Sequence, residues 1–485
     1  MMRQSVNRVA WLGLVALALA LGCQPASDDG PQSASSTEPV DQTPQKILLV
    51  SLDDSHKVAD RIAQVWTAQT AGDVEVVHAS ASEVFASEPA GLPPCDVVLY
   101  PNFLIGELLV RKSIQPIDVA RFRDMGIDRQ ALLRHDRVSV VQSGKSVFGA
   151  SLGTPLLMLL VRQDVLDQLK LAPPTTWDQY LAVRQALAGA GEIKSPQGKP
   201  LPTMVCEPAQ GAWLPQMLLA RSAPAFVRQG RLSSYFDVES MDALVNSPPF
   251  VKALEQMVAE HALAASQPLT PEDCFAAMIR GEAAMAIAWP TSQSPIEAPA
   301  GNLPIGVYRL PGSIQSYDYR DRVWSESIDG QPQFATLVPV AGRVASIAAG
   351  TRRLRSAERL VAWLMSADAN REISTQFGDT LLTQSSALMS PYPWISEQLP
   401  RDAAQQVADA LRVGHEQNLP LYNLRIPGRD EYLKELADAI EKALTGKMSP
   451  PEALDAAAAR WNEITDRLGR ERQRDLFRDS VRMQF

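Results

Sequence analysis

Between Lys46 and Pro101, short apolar runs alternate with helix-like segments, and this rhythm leaves the chain few architectures. Ile47-Leu48-Leu49-Val50 reads as a buried strand. Asp53-Asp54-Ser55 then opens a helix with apolar positions Val58, Ile62, Val65 and Trp66, and Gly72 ends it. Val74 to Val77 starts a second strand, and after a polar helical stretch Asp96-Val97-Val98-Leu99-Tyr100 forms a third. Strand, helix, strand, helix, strand is the pattern of an α/β fold, a parallel sheet covered by helices. Such sheets bind ligands at the carboxyl ends of their strands, which nominates Asp53, Asp54, Tyr100 and Asn102. The Asp53-Asp54 pair has two readings: a favourable charge at a helix N-terminus, or carboxylates that bond a ligand hydroxyl.

The middle of the chain is less regular. Val138–Val141 and Val147–Leu152 flank Gln142-Ser143-Gly144-Lys145, which reads as a hairpin turn. Pro155 precedes the apolar run 156–161, and a short helix from Arg162 precedes Pro173-Pro174-Thr175-Thr176. Thr176 and Gln179 have capping-box spacing, so a helix is expected from Trp177. Residues 191–203 read as a Gly/Pro/Lys loop, and Trp213–Arg221 reads as helix. Ala284 to Pro290 is a short strand ending in Trp289, and 311–334 is a long polar loop carrying Tyr317, Tyr319 and Trp324. The C-terminal part is helical. Leu433, Leu436, Ala437, Ile440 and Leu444 share one face, and Ser449-Pro450-Pro451-Glu452 starts a further helix with a capping box and a first-turn proline. No role follows from the sequence for residues 470–485.

The N-terminus constrains address. Arg3 and Arg8 precede an apolar run from Val9 to Leu21, then Gly22, Cys23 and a polar tail. This is an export signal, too short to span a bilayer at about 20 apolar residues. Leu19-Ala20-Leu21-Gly22-Cys23 resembles a bacterial lipoprotein signal, which implies that residues 1–22 are removed and that Cys23 becomes an acylated (palmitate-bearing) N-terminus. Ala20 departs from the leucine usual three residues before the cysteine. Residues 23–45 are rich in Ser, Pro, Asp, Gln and Thr and read as a flexible tether. The remainder, to Phe485, is too long for one ordinary core and suggests two domains.

Charge and cysteine usage exclude other classes. The chain has 46 Lys and Arg against 55 Asp and Glu; loss of Arg3 and Arg8 gives 44 − 55 = −11. With no basic stripe, nucleic acid is not an expected partner. Cys95, Cys206 and Cys274 show no C-x-x-C spacing, and the five histidines show no metal-ligand spacing, so neither a metal nor a cofactor is expected. Gly144-Lys145-Ser146 ends like a phosphate loop but has Ser139 where glycine is required. Gly149-Ala150-Ser151-Leu152-Gly153 is formally G-x-S-x-G, and a lipid-anchored hydrolase using Ser151, with His261 or His415, is the enzymatic alternative. Pro155 and the apolar run behind it argue for extended chain instead. The remaining chemistry is aromatic. Trp213, Trp289, Tyr308, Tyr317, Trp394 and Tyr422 lie near element ends or loops, where flat rings beside polar groups suit a sugar. Core packing is the competing reading, favoured for Trp66 and Trp461.

Several stretches together resemble the extracellular solute-binding proteins of ABC transporters, especially the sugar-binding type. They are Asp96-Val97-Val98 to Pro101 with Gly106-Glu107-Leu108, Phe148 to Pro155, Arg162 to Leu166 with Pro173 to Asp178, Ile279-Arg280-Gly281-Glu282-Ala283-Ala284-Met285, and Ser356 to Ser366. The resemblance implies a two-lobed periplasmic-binding-protein fold (type II-like), hinge-connected, with C-terminal helices. Lobe one would be 46–155 with 343–395, and lobe two 156–342 with 396–485. It implies capture of a small solute, a sugar or oligosaccharide, by a monomer that is not an enzyme. The partners would be an ABC permease and, through the lipid, a membrane at the periplasm or cell surface; a ligand-sensing partner of a signalling receptor is the third reading. On this reading Cys23→Ser should release the protein from membranes while leaving solute affinity intact, as fractionation and titration would check.

Overall fold

The computed structural model describes residues 46–482, apart from 71, 87–90, 210, 227–234, 264–268, 291–302, 328, 339, 392–394, 396–398 and 417–420. The signal, Cys23, most of the tether and Trp394 lie outside the described residues.

Nine strands build the two main sheets among the described residues. In chain order they are β1 (Ile47–Leu52), β2 (Val74–Ala79), β3 (Val97–Pro101), β4 (Gly149–Ser151), β5 (Met158–Arg162), β6 (Met204–Cys206), β7 (Ala283–Ala288), β8 (Ile305–Arg309) and β9 (Arg343–Ile347). The first sheet runs β2-β1-β3-β9-β4 and the second β6-β7-β5-β8. β1 pairs in parallel with β2 and β3, as the strand–helix alternation requires. β3 is buried at every position, the expected state of a central strand covered on both faces. The outer strand β2 buries Val74 and turns Glu75 outward.

The topology turns on β9. The chain leaves the first sheet after β4, builds the second sheet, and returns antiparallel between β3 and β4. Val344 faces Tyr100 on one side and Ser151 on the other, and the Tyr100 hydroxyl lies 2.7 Å from Ser346 Oγ. The outgoing and returning strands meet at two glycines. Gly153 has φ +101° and Gly342 φ +117°, a region that side chains disfavour. A Cβ on Gly342 would lie 2.4 Å from the Gly153 carbonyl oxygen, so the two backbones touch with no room for a side chain.

The second sheet joins two cores. Met158 and Leu160 of β5 belong to the hydrophobic core continuous with the first sheet. Leu159 and Val161 point into the other, built with helices Trp213–Ser222, Pro248–His261, Arg429–Leu444 and Pro450–Leu468. This is the two-face alternation of a strand that is apolar throughout. Trp461 centres the second core: it packs against Tyr235, Phe236 and Tyr432, and its Nε1 donates to the Tyr432 carbonyl at 2.7 Å. Arg184 and Arg221 with Glu207 and Glu260 form a buried ion-pair network beneath the same helices.

Local readings fared unevenly. The Ser449 capping box forms with Glu452. Thr176 accepts the Gln179 amide, but the Gln179 side chain bonds Thr175, one residue early. The expected strand at 138–141 is not one: His135–Ser139 is a wide helical turn, and the hairpin pairs only Gln142–Ser143 with Ser146–Val147. Buried His135 bonding Ser139 Oγ and Gly414 holds that turn, a tertiary contact that overrides the β-branched run. The 191–203 loop contains a small hairpin, Ile193–Lys194 with Pro200–Leu201. The loop at 311–334 contains an ordered hairpin, Gln315–Asp318 with Val323–Glu326, in which Tyr317 lies 5.4 Å from Trp324 between ring centres. Residues 470–482 form a helix that buries Phe477 and Val481 in the second core. Replacing Gly342 by alanine should cost about 2 kcal/mol or more in denaturant unfolding, through the left-handed φ and the contact with Gly153.

Candidate functional site

Strand ends and helix starts converge on a cleft of about 1160 Å³. One wall comes from the first sheet. Asp53, His56 and Lys57 follow β1, Ala79 and Ser80 end β2, Pro101 and Phe103 end β3, and Val340–Arg343 lead into β9. The facing wall is Trp213, Thr270, Glu272 and Trp289, and Gln376–Asp379 close one side. Carboxyl ends of strands collect here because the helices that follow them must turn back across the sheet faces. Three helices start at these walls, His56–Thr70, Trp213–Ser222 and Pro271–Ile279.

Trp213 and Trp289 pack edge to face, ring centres 5.2 Å apart. Trp289 is 2 % exposed, wedged behind the half-buried Trp213. Its Nε1 donates to Glu272 Oε1 at 3.1 Å. Burial raises the Glu272 pKa, and the hydrogen bonds made to its charged form only partly oppose this. Across the cleft, buried Arg343 pairs with Asp379, and Arg343 Nε has no partner among the described residues. The site thus combines the half-buried Trp213 ring with carboxylates, a guanidinium and an exposed lysine.

The structure brings three of the nominated residues, Asp53, Trp213 and Trp289, to this cleft. Asp53 has a structural duty as well. Its φ is +50°, and Oδ1 accepts the Ala81 amide at 2.8 Å, capping the helix after β2 and not its own. Asp54 shares the short turn Asp53–Ser55. Tyr100 is fully buried within the first sheet, and buried Asn102 donates to the Ala341 carbonyl at 2.6 Å, just behind the cleft wall. Tyr308, Tyr317 and Tyr422 are not brought in. Tyr308 accepts from Gln163 Nε2 at 2.5 Å, Tyr317 packs against Tyr319 and Trp324, and Tyr422 lies buried beneath the Arg425 guanidinium. Sequence reasoning missed His56, Lys57, Phe103, Glu272, Arg343 and Asp379. Only Glu272 carried a local signal, the helix start Thr270-Pro271-Glu272-Asp273 with its capping box.

Ser151 lies in β4, and extended chain follows it instead of a strand-to-helix elbow. Its hydroxyl donates to Asp136 Oδ1 at 2.8 Å, and Thr154 Oγ1 donates to the same atom at 2.7 Å. Ser151 Oγ also accepts the Gly153 amide at 3.1 Å. These bonds fix the strand crossing. Cys95, Cys206 and Cys274 are buried free thiols, and no cluster that could hold a metal occurs among the described residues.

Two α/β lobes with a cleft at their strand ends define the class of two-lobed solute-binding proteins. Residues 83–403 match the family described as bacterial extracellular solute-binding protein, and the chain belongs to that family. None of the curated proteins compared with it matches. Among solved structures, it is similar to an ABC transporter solute-binding protein from Agrobacterium radiobacter K84 in complex with ribitol. That match has TM-score 0.62 and 18% identity, covering 86% of this chain and 98% of that one. Maltose-bound MalE3 of T. maritima gives 0.60 and 18%, covering 86% and 99%. The sugar-binding protein MalE of Xanthomonas citri gives 0.61 and 16%, covering 87% and 98%. At these identities the likeness establishes the fold.

Burial pushes the Asp136 carboxyl up to about 7, only partly opposed by the Thr154 and Ser151 hydrogen bonds. The folded-state value therefore exceeds the unfolded one, so this group's contribution to stability is full at acid pH and is lost as pH rises through about 7. Asp136→Asn should flatten the profile by about 2–3 kcal/mol between pH 5 and 8, measured by urea unfolding at both pH values.

Proposed function

We propose that the cleft captures a carbohydrate for a membrane ABC importer without changing it chemically. The observation that carries this reading is half-buried Trp213, backed by buried Trp289, in one cleft with Asp53, Lys57 and the Arg343–Asp379 ion pair. A sugar ring presents C–H faces that suit indole and a rim of hydroxyls that both donate and accept. Carboxylates and a guanidinium are placed to meet that rim. The cleft, about 1160 Å³ before any closure, has room for an oligosaccharide as well as for a single ring. The similar structures include a ribitol complex, a maltose complex and a sugar-binding protein, which lends support.

Capture without chemistry accords with Ser151, whose proton goes to a buried carboxylate and whose acceptor side is taken by an amide. In this reading the lobes are 46–155 with 343–395 and 156–342 with 396–485, closing about the Gly153–Gly342 crossing on bound solute. An acylated Cys23 and the 23–45 tether would keep the binder near its permease at high local concentration.

The test is calorimetric titration with a panel of neutral and charged mono- and oligosaccharides. Binding should appear for at least one oligosaccharide, and Trp213→Ala should weaken it about tenfold or more. Tight binding of an amino acid or peptide with no saccharide response would defeat the carbohydrate reading.

A further inference from the structure

We infer that a basic groove at the far end of the first sheet docks on an anionic lipid surface. The groove holds about 630 Å³ and lies where β1 and β3 begin and β9 ends. Asp96 ties these strand ends together. Its amide donates to the Leu48 carbonyl at 2.8 Å, its Oδ2 accepts the Leu48 amide at 2.9 Å, and its carbonyl accepts the Ala348 amide at 3.0 Å. The solute cleft lies past the opposite ends of the same strands. Six residues of β1, roughly 20 Å of extended chain, separate the two.

The groove is amphipathic. Leu92, Pro93 and Pro94 line it together with Lys112, Arg352 and Arg353. Arg353 is held by Asp96 at 3.1 Å. Lys112 and Arg352 are exposed and make no ion pair among the described residues. The helix Leu354–Leu364 starts beside them and presents exposed Arg355 and Arg359, one turn apart and also without an ion pair among the described residues. The chain as a whole is acidic, yet 351–359 holds four arginines and one glutamate, and that glutamate, Glu358, is committed to Arg121. These arginines also have the wrong sign for their place. The helix has no acidic residue in its first turn and no side-chain cap, and its N-terminal end repels cations. Nothing within the described protein offsets that repulsion; an array of anions does.

Lipid phosphates are the array that fits best. The cations are spread over a groove wall and a helix face, as a surface of many headgroups requires, and the proline-lined wall suits the boundary with the acyl chains. The place of the groove points the same way. The chain enters the body at Lys46, one residue before β1 and at the groove end of the sheet. The inference rests on the reading that Cys23 is acylated, which puts this end of the body within a tether's length of a bilayer. A flexible tether holds the body near the membrane but gives it no orientation. Docking through the groove supplies one and leaves the cleft, at the other end of the sheet, open to solvent. The contact is electrostatic and exposed, so salt screens it and the body is readily released.

Both cores lie between Ile47 and Val481, and residues 44–485 form a compact unit on their own, so the body can be tested without signal or tether. The experiment is co-sedimentation of residues 44–485 with vesicles of phosphatidylcholine, and of phosphatidylcholine mixed equally with phosphatidylglycerol. The body should bind the anionic vesicles and not the neutral ones, and sodium chloride should release it. Lys112→Ala combined with Arg352→Ala should weaken binding about twentyfold. Lys145→Ala combined with Lys199→Ala, two exposed lysines on other hairpin turns, should leave it unchanged. All four side chains are exposed, so folding is not at stake. No binding to anionic vesicles, equal binding to both kinds, or equal loss in the two double variants overturns the inference. Calorimetric binding of inorganic phosphate without vesicle binding also overturns it, in favour of a small-anion site. With neither tether nor sugar present, such a failure leaves the acylation and carbohydrate readings standing.

Discussion

The return of β9 between β3 and β4 is the constraint on which the rest depends. A strand that pairs on both sides must be supplied before the first sheet is complete, and here almost two hundred residues separate it from β4. The first lobe cannot close its sheet until the second has been built and the chain has come back. The two sheets are therefore linked by the passages from β4 to β5 and from β8 to β9. Gly153 and Gly342 make the crossing thin, with backbone against backbone. Asp136, holding Ser151 and Thr154, stiffens the outgoing side.

The cleft follows from that arrangement. β1, β2 and β3 end at the same edge, where β9 begins, and the residues just past those ends have no strand partner left to serve. Some acquire scaffold duties, as Asp53 does in capping the helix after β2. The second lobe contributes helix starts and the Trp213–Trp289 pair. A site divided between lobes encloses a solute only if they move together.

The legibility of the chain varied with the range of the interactions. The first three strands and the helix after β1 were readable because local periodicity and burial agree there. The Ser449 capping box was readable because its partners are three residues apart. Val138–Val141 misled because the buried contact of His135 with Gly414 comes from almost three hundred residues away. Tyr317 looked like a binding residue, but its ring partners, Tyr319 and Trp324, are supplied by its own hairpin. Arg343 and Asp379 gave no signal, because an ion pair is invisible until the fold brings its halves together.

By itself, then, the sequence determined what short-range chemistry can determine: the α/β class and the start and stop of the strongest elements. Tertiary structure decided which residues share a cleft, which tyrosines are merely buried, and that the G-x-S-x-G stretch is a strand crossing. The physical reason is distance along the chain. Periodicity and capping act over a few residues, whereas Trp213 with Trp289 and Ser151 with Asp136 acquire meaning only when long loops close.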